Sequence, residues 1–317
     1  MMGSIERHRD TQENIGISTV RFLSHKYFSL LSVLLPSSLL SYIVYSVIQE
    51  RTIAEFVHRL PLLLFDLIPL REAGFRGVYT VGISWYLSAM FLSLAFLYPL
   101  CKKFRSSFTL TVCPILVLLI YGFLSHSYGH LAIASMYIDG CFIGAGLLRG
   151  IAGCTSGCIL YEATRCLSQK RVTNTGRIIF TLAELLCFAF MLLVMHKKPK
   201  SNYDYVLVFV IFAMLLIGIS GVSFSSCILK PQWTKKLGTA STLLVLNHYC
   251  WRDYLSKVYG ADFAHTSRKW LYYAATACSC VVVYLLSRVI RYLFSRIDGV
   301  VFSNTDPASA MQGSQSK

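Results

Sequence analysis

The sequence predicts an all-α polytopic membrane protein, a bundle of about eight transmembrane helices with no soluble domain. Three observations predict it. Long apolar runs recur along the whole chain, short basic clusters separate them, and only 14% of the residues are charged in a chain that is 55% hydrophobic with a mean hydropathy of +0.56. The runs are Tyr27–Ile48, Gly82–Leu100, Phe108–Leu124, Ile143–Leu160, Ile178–Met195, Asp204–Gly221, Leu237–Tyr254 and Trp270–Leu293. Each is close to the ~20 residues that carry a helix across the hydrocarbon core. In lipid the backbone is satisfied only in a helix or a closed barrel, and these runs lack the alternation of a barrel strand.

The formal charge of +15 invites a nucleic-acid partner, but its distribution argues against one. The Lys and Arg residues sit between runs, where topology signals belong. With Arg7, Arg9, Arg21 and Lys26 on the cytoplasmic side, the clusters Lys102/Lys103/Arg105, Arg165/Lys170/Arg171/Arg177, Lys230/Lys235/Lys236 and Arg288/Arg291/Arg296 fall there too. Gln49–Val81, whose four arginines are balanced by four acids, then lies outside, as does Ser125–Asp139, which has no Lys or Arg. Lys197/Lys198/Lys200 and Lys257/Arg268/Lys269 run against the pattern. Both termini are expected to be cytoplasmic in a multi-pass protein of the cell membrane, with membrane lipid as its surroundings.

In order along the chain, residues 1–26 read as a basic cytoplasmic segment without the apolar core and cleavage site of a signal peptide. Residues 27–296 read as one membrane domain, and residues 297–317 as a small, polar, disordered tail. Pro36 falls inside the first run, where a membrane helix tolerates it when neighbours satisfy the freed carbonyl. Thr52–Leu70 is apolar but carries Glu55, His58, Arg59, Pro61 and Asp66, so it suits an interfacial or re-entrant segment better than a span. Gly146, Gly150, Gly153 and Gly157 line one face of the fourth run and invite close approach of a neighbouring helix. The eleven cysteines are scattered, mostly through the apolar runs, without repeated CxxC pairs. Neither a zinc site nor a disulfide framework is signalled, and Cys154 and Cys158 read as small apolar residues. No internal repeat is evident.

Three polar islands interrupt the runs. Asn247-His248-Tyr249 is followed by Arg252-Asp253, and His248 and Arg252, four residues apart, share a helix face. Charged groups near mid-membrane are costly and face a cavity or a partner. His248 therefore reads either as a general base for a hydroxyl or as a packed residue near the outer end of its helix. Arg149 is either a snorkelling anchor or a cation aimed into the bundle. Trp85, Tyr86 and Ser88 lie near the outer start of their run, where an aromatic belt is the plainer account. His126 and His130 have metal-like spacing but no third ligand, so no metal is expected. Arg21, His25 and Lys26 precede the first run, either as topology signals or as a binding surface for the phosphates of a cytoplasmic donor.

Taken together, the islands resemble the acyltransferase-3 superfamily of integral-membrane O-acyltransferases, which includes polysaccharide O-acetyltransferases. The resemblance lies in Ile83-Ser84-Trp85-Tyr86-Leu87-Ser88-Ala89, in Leu148-Arg149-Gly150-Ile151-Ala152-Gly153 followed by Gly157, and in Lys236-Leu237-Gly238-Thr239-Ala240-Ser241 leading into Leu246-Asn247-His248. The basic Lys26–Leu40 stretch, running into a helix with proline, is similar to another family element. The resemblance implies transfer of an acetyl group from acetyl-CoA to a sugar hydroxyl of a cell-surface glycan. It implies His248 as the residue supporting proton transfer, and Trp85, Tyr86, Ser88, Arg149, Asn247 and Arg252 as substrate-binding residues, with Trp85, Arg149 and His248 facing one cavity from different helices. Arg21 and Lys26 would hold the donor phosphates. Family members usually begin with two further helices, the first carrying an arginine and the histidine thought to be the catalytic base. This sequence opens in the segment that follows them, so weak transfer by this chain alone is expected. A non-enzymatic transporter or assembly partner for envelope glycans is the alternative, since intramembrane charges and Gly-rich helices suit it as well.

Overall fold

A computed structural model describes residues 1–7, 14–74, 84–131, 133, 138, 144–197, 203–228, 231–260, 262–263 and 266–301. Residues 302–317 of the expected tail and parts of the expected outer segments, including residues 75–83, lie outside them. Among the described residues the secondary structure is helical, without a strand. Six helices are long and apolar enough to cross a membrane: Ile15–Ile48, Ser84–Lys103, Phe108–Tyr128, Asn174–Lys197, Tyr203–Ser220 and Lys269–Phe294. They mark a multi-pass membrane protein of the all-α class.

The expected count of eight is corrected to six apolar candidates. The runs Ile143–Leu160 and Leu237–Tyr254 do form long helices, Ala145–Ser168 with 24 residues and Pro231–Tyr259 with 29. These two fall outside the apolar set of six. They are the helices that carry Arg149 and Asn247-His248-Arg252, so the islands themselves lower the apolarity of their runs.

Numbered in chain order, the helices are α1 (Met2–Arg7), α2 (Ile15–Ile48), α3 (Ile53–Arg59), α4 (Leu63–Leu67), α5 (Ser84–Lys103), α6 (Arg105–Ser107), α7 (Cys113–Tyr128), α8 (Ala145–Ser168), α9 (Asn174–Lys197), α10 (Tyr203–Ser220), α11 (Ser225–Ile228), α12 (Pro231–Tyr259) and α13 (Lys269–Val301). Pro36 leaves α2 unbroken. The Thr52–Leu70 segment is not a span but two short helices joined by a 3-10 turn. Its first helix starts in a capping box, with Thr52 and Glu55 satisfying each other's backbone N–H groups.

The chain forms two compact units. The first comprises Met1–Ser24, Ile68–Tyr79 and Ile83–Thr239; the second comprises His25–Leu67, Thr80–Gly82 and Ala240–Lys317.

In the first unit α8 packs against α5, α7 and α10, and α9 lies on α10. Packing on three helices offers partners to the polar residues of α8. No α9 residue is buried, and its exposed Leu182, Leu185, Leu186, Leu192 and Leu193 fit a hydrocarbon surround. The expected glycine face is used in half its length. A Cβ at Gly150 would stand 2.8 Å from the Ala89 Cβ of α5, and one at Gly146 would stand 2.9 Å from the Trp85 ring. Gly153 and Gly157 meet nothing within 4 Å. The close approach is therefore a crossing of α5 and α8 near their Trp85–Ala89 and Gly146–Gly150 segments.

In the second unit, polar contacts tie α2 to its neighbours. The Tyr45 hydroxyl donates to Asp253 of α12, Lys257 pairs with Glu50 at 3.1 Å, and Arg291 Nε of α13 donates to Ser32 Oγ at 3.0 Å. Ser32, Ser37, Ser38 and Ser41 are all buried, so this stretch of α2 turns small hydroxyls inward.

Candidate functional site

Two of the predicted motifs meet in the first unit. Trp85 opens α5 and Arg149 lies in the second turn of α8, and the guanidinium carbon stands 5.6 Å from the indole centroid. An Arg over an indole face gains a cation–π attraction that strengthens as water is excluded. One Arg149 guanidinium nitrogen also donates to the Leu131 carbonyl at 2.7 Å. The Leu131 N–H in turn donates to Asp204 at 3.0 Å, and the Tyr205 hydroxyl donates to the His130 carbonyl at 3.3 Å. The start of α10 thus holds the 130–131 turn, and that turn holds Arg149. Arg149 is thus held by protein groups on two sides, the Trp85 ring and the Leu131 carbonyl. A guanidinium has five N–H donors, so a cation so held presents further donors to an acceptor oxygen.

Ser88 and Tyr86 have different placements. Ser88 is fully buried, and its Oγ accepts the backbone N–H of Glu72 at 2.8 Å. Its hydroxyl oxygen thereby anchors the 3-10 turn Arg71–Ala73 onto α5. Tyr86 is 49% exposed and stacks edge-on against Trp85, with ring centroids 5.9 Å apart.

Glu72 is the residue that sequence reading passed over. It was one acid among the balanced charges of Gln49–Val81, yet it is 4% exposed. The backbone N–H of Leu147 donates to its carboxyl, so Glu72 sits at the amino end of α8, where unpaired N–H groups and the helix dipole favour negative charge. A Cβ at Gly144 would fall 2.1 Å from Glu72 Oε2 and one at Gly146 would fall 2.7 Å away. Only glycine leaves room for the carboxyl at both places. Burial pushes the Glu72 carboxyl up to about 7, although Arg71 and the Leu147 N–H pull the other way. Its Oε2 is buried without a hydrogen-bond partner among the described residues. A carboxyl titrating near neutrality beside Trp85 and Ser88 is a candidate proton acceptor as well as a helix cap.

Glu184 was also missed. It stands mid-way along α9, in one of the most apolar runs, and accepts from Ser225 Oγ at 2.6 Å. A Cβ at Gly218 would lie 2.8 Å from its Oε1. The signal available in the sequence was an acid at the centre of an apolar run, which by itself marks a group with a partner.

The second unit holds the third motif. Asn247 is fully buried, and its Nδ2 donates to the Leu243 carbonyl at 2.8 Å while its Oδ1 has no partner among the described residues. Ser37 Oγ, Ser38 Oγ and Thr276 Oγ1 of the same unit are buried in the same condition. Buried polar atoms of this kind are satisfied by water or by a ligand. His248 Nδ1 lies 3.1 Å and 2.9 Å from the carbonyl oxygens of Leu244 and Val245. A carbonyl only accepts, so Nδ1 carries the hydrogen and Nε2 of the neutral ring carries the lone pair. Arg252 forms a two-point pair with Asp253 at 2.9 and 2.7 Å and covers the Tyr249 ring at 4.4 Å. Asp253 thus takes up much of its donor capacity.

Arg21 and Lys26 are exposed on α2, as is His25 between them. Arg21 belongs to the first unit and Lys26 to the second. His126 is exposed in the last turn of α7. Among the described residues no group of three or more His, Cys, Asp or Glu is placed to hold a metal ion.

Comparison of the chain with protein-family models, with curated proteins and with solved structures found no match. The functional reading therefore rests on the residues and their geometry.

Proposed function

We propose that the chain is a membrane-bound O-acyltransferase that moves acetyl from acetyl-CoA to a sugar hydroxyl of a cell-surface polysaccharide. The observation that carries this reading is the meeting of Trp85 and Arg149. These residues are 64 positions apart and belong to two of the segments that resemble the acyltransferase-3 superfamily, and they form one contact. In such a transfer the sugar oxygen bonds to the acetyl carbon, the carbon–sulfur bond breaks, the thiolate leaves, and the hydroxyl proton passes to a base. Arg149 suits the oxyanion that develops on the acetyl oxygen, because a fixed cation in a water-poor site stabilises developing negative charge. His248, with its lone pair on Nε2, suits proton transfer or orientation of the acceptor.

The test is acetyl transfer from labelled acetyl-CoA in proteoliposomes. Arg149→Gln is expected to lower transfer. Transfer unchanged by Arg149→Gln overturns the reading.

The proposed setting is the cell membrane with both termini cytoplasmic, as the basic clusters indicate. Reporters placed after residues 75, 104 and 172 are expected to read outside, inside and inside. The third position reports on α8. The six apolar helices alone return residue 172 to the outside, whereas a crossing α8 keeps it inside. An inside result at residue 75 refutes this topology.

A further inference from the structure

A second polar site lies in the first unit, away from Trp85 and Arg149. A cavity of about 520 Å³ opens where the last turn of α5, the α6 segment, the π turn Phe108–Val112 and the last turns of α8 come together beside α1. Lys102, Lys103, Arg105 and Arg165 line it, with Glu162 as the acid of the wall. Arg105 is set by Glu162, to which its Nε and one terminal nitrogen approach at 3.0 and 2.9 Å. Arg165 stands 3.4 Å from Glu6 of α1 and 4.0 Å from Glu162. Glu6 also accepts from the Tyr161 hydroxyl and lies 3.6 Å from Arg105. The Tyr161 hydroxyl, with Arg165 and Arg105 beside it, holds the Glu6 carboxyl below its usual range.

Four cations thus face two carboxylates. Lys102 donates to Ser18 Oγ at 2.7 Å, and the Lys103 ammonium sits 5.0 Å from the Phe104 ring centroid. The cavity also holds an independent sign of a missing acceptor. Thr109 lines it, is 1% exposed, and its Oγ1 has no hydrogen-bond partner among the described residues. A buried hydroxyl without a partner costs free energy unless something in the cavity bonds to it.

We propose that this cavity binds a phosphate-bearing ligand. Lys102 and Lys103 supply the charge, Thr109 donates a hydrogen bond, and Arg105 and Arg165 present guanidinium forks beside Glu162, which holds Arg105 in place. Phosphate fits because it carries more than one negative charge and several acceptor oxygens, which two lysines, two forks and a hydroxyl satisfy together. The volume admits a diphosphate with part of what it is attached to. Glu6 acts as a resident anion that competes with the ligand for Arg105 and Arg165, so α1 lowers the affinity of the site. The inference stands on the charge and shape of this cavity and does not depend on the acyl-transfer reading.

The test uses the full chain in nanodiscs, with inorganic pyrophosphate as the soluble probe and calorimetry as the readout. In phosphatidylcholine discs pyrophosphate is expected to bind, more tightly at low salt. Losing one charge-assisted contact is worth about a factor of ten, so Lys102→Gln with Lys103→Gln is expected to weaken binding at least about tenfold. Glu6→Gln is expected to tighten it by several-fold. That opposite sign separates the site from a folding defect, and circular dichroism of each variant checks the fold. Discs containing phosphatidylglycerol distinguish the two sources of phosphate. Loss of pyrophosphate binding there identifies a lipid headgroup as the occupant, and unchanged binding identifies a soluble ligand. No binding in phosphatidylcholine discs, or binding indifferent to both the lysine and the Glu6 variants, overturns the proposal.

Discussion

His248→Ala is expected to lower acetyl transfer by about 10²–10⁴-fold, the usual loss when a positioned proton-transfer group is removed. The expectation rests on the ring geometry. The carbonyls of Leu244 and Val245 hold the Nδ1 hydrogen, which orients the imidazole and leaves Nε2 as the acceptor. A methyl side chain loses both the acceptor and its orientation. His248→Gln retains a polar side chain without a titrating ring, and is expected to keep acceptor binding better than rate. His126→Ala, on the exposed last turn of α7, is expected to leave the rate unchanged. Initial rates against acceptor concentration make the measurement. A rate indifferent to His248→Ala would place the base elsewhere, and Glu72 is the next residue to test.

Glu72→Gln is expected to remove a pH dependence of stability worth about 3 kcal/mol, from a carboxyl raised to about 7 against an ordinary value of 4.5. The sign follows from proton binding. Between about 4.5 and about 7 the folded chain holds the Glu72 proton more firmly than the unfolded chain does. The stabilisation from the neutral carboxyl is therefore complete below pH ~4.5 and is lost as the pH rises through about 7. Glutamine mimics the neutral carboxyl in size and keeps an acceptor for the Leu147 N–H. The variant is expected to match wild type near pH 5 and to exceed it near pH 8. Thermal unfolding in detergent across that range measures the difference. Equal slopes for the two proteins would show that Glu72 carries no such linkage. Gly144→Ala and Gly146→Ala press on the same carboxyl and are expected to destabilise at either pH, because neither leaves room for Oε2.

The membrane-protein class and the all-α fold were legible in the chain because hydrocarbon permits so few backbone solutions. A run of apolar residues near 20 long reports its own secondary structure without help from its neighbours. Trp85, Arg149, Asn247 and His248 were legible for a related reason: a polar residue inside such a run is costly, so its presence marks a partner or a cavity. Glu184 carried the same signal and was overlooked.

The count of spans was less legible. Whether a polar helix such as α8 belongs among them depends on neighbours, here α5, α7 and α10, which the run itself does not name. Glu72 was invisible for a stronger reason. Among balanced surface charges its letter is ordinary, and only the fold that folds Arg71–Ala73 back onto Ser88 and the start of α8 buries it and raises its titration. The use of Gly146 and Gly150 but not of Gly153 and Gly157 was decided in the same way, by where α5 crosses α8. The basic cavity gathers Lys102, Lys103, Arg105 and Arg165, from α5, α6 and α8, which sequence reading had assigned to topology alone. By itself the sequence determined which segments are helices in lipid and which residues are out of place there, since local chemistry settles both. Only the tertiary structure decided which of those residues meet and which carboxyls lose their water, since both depend on contacts between segments far apart in the chain.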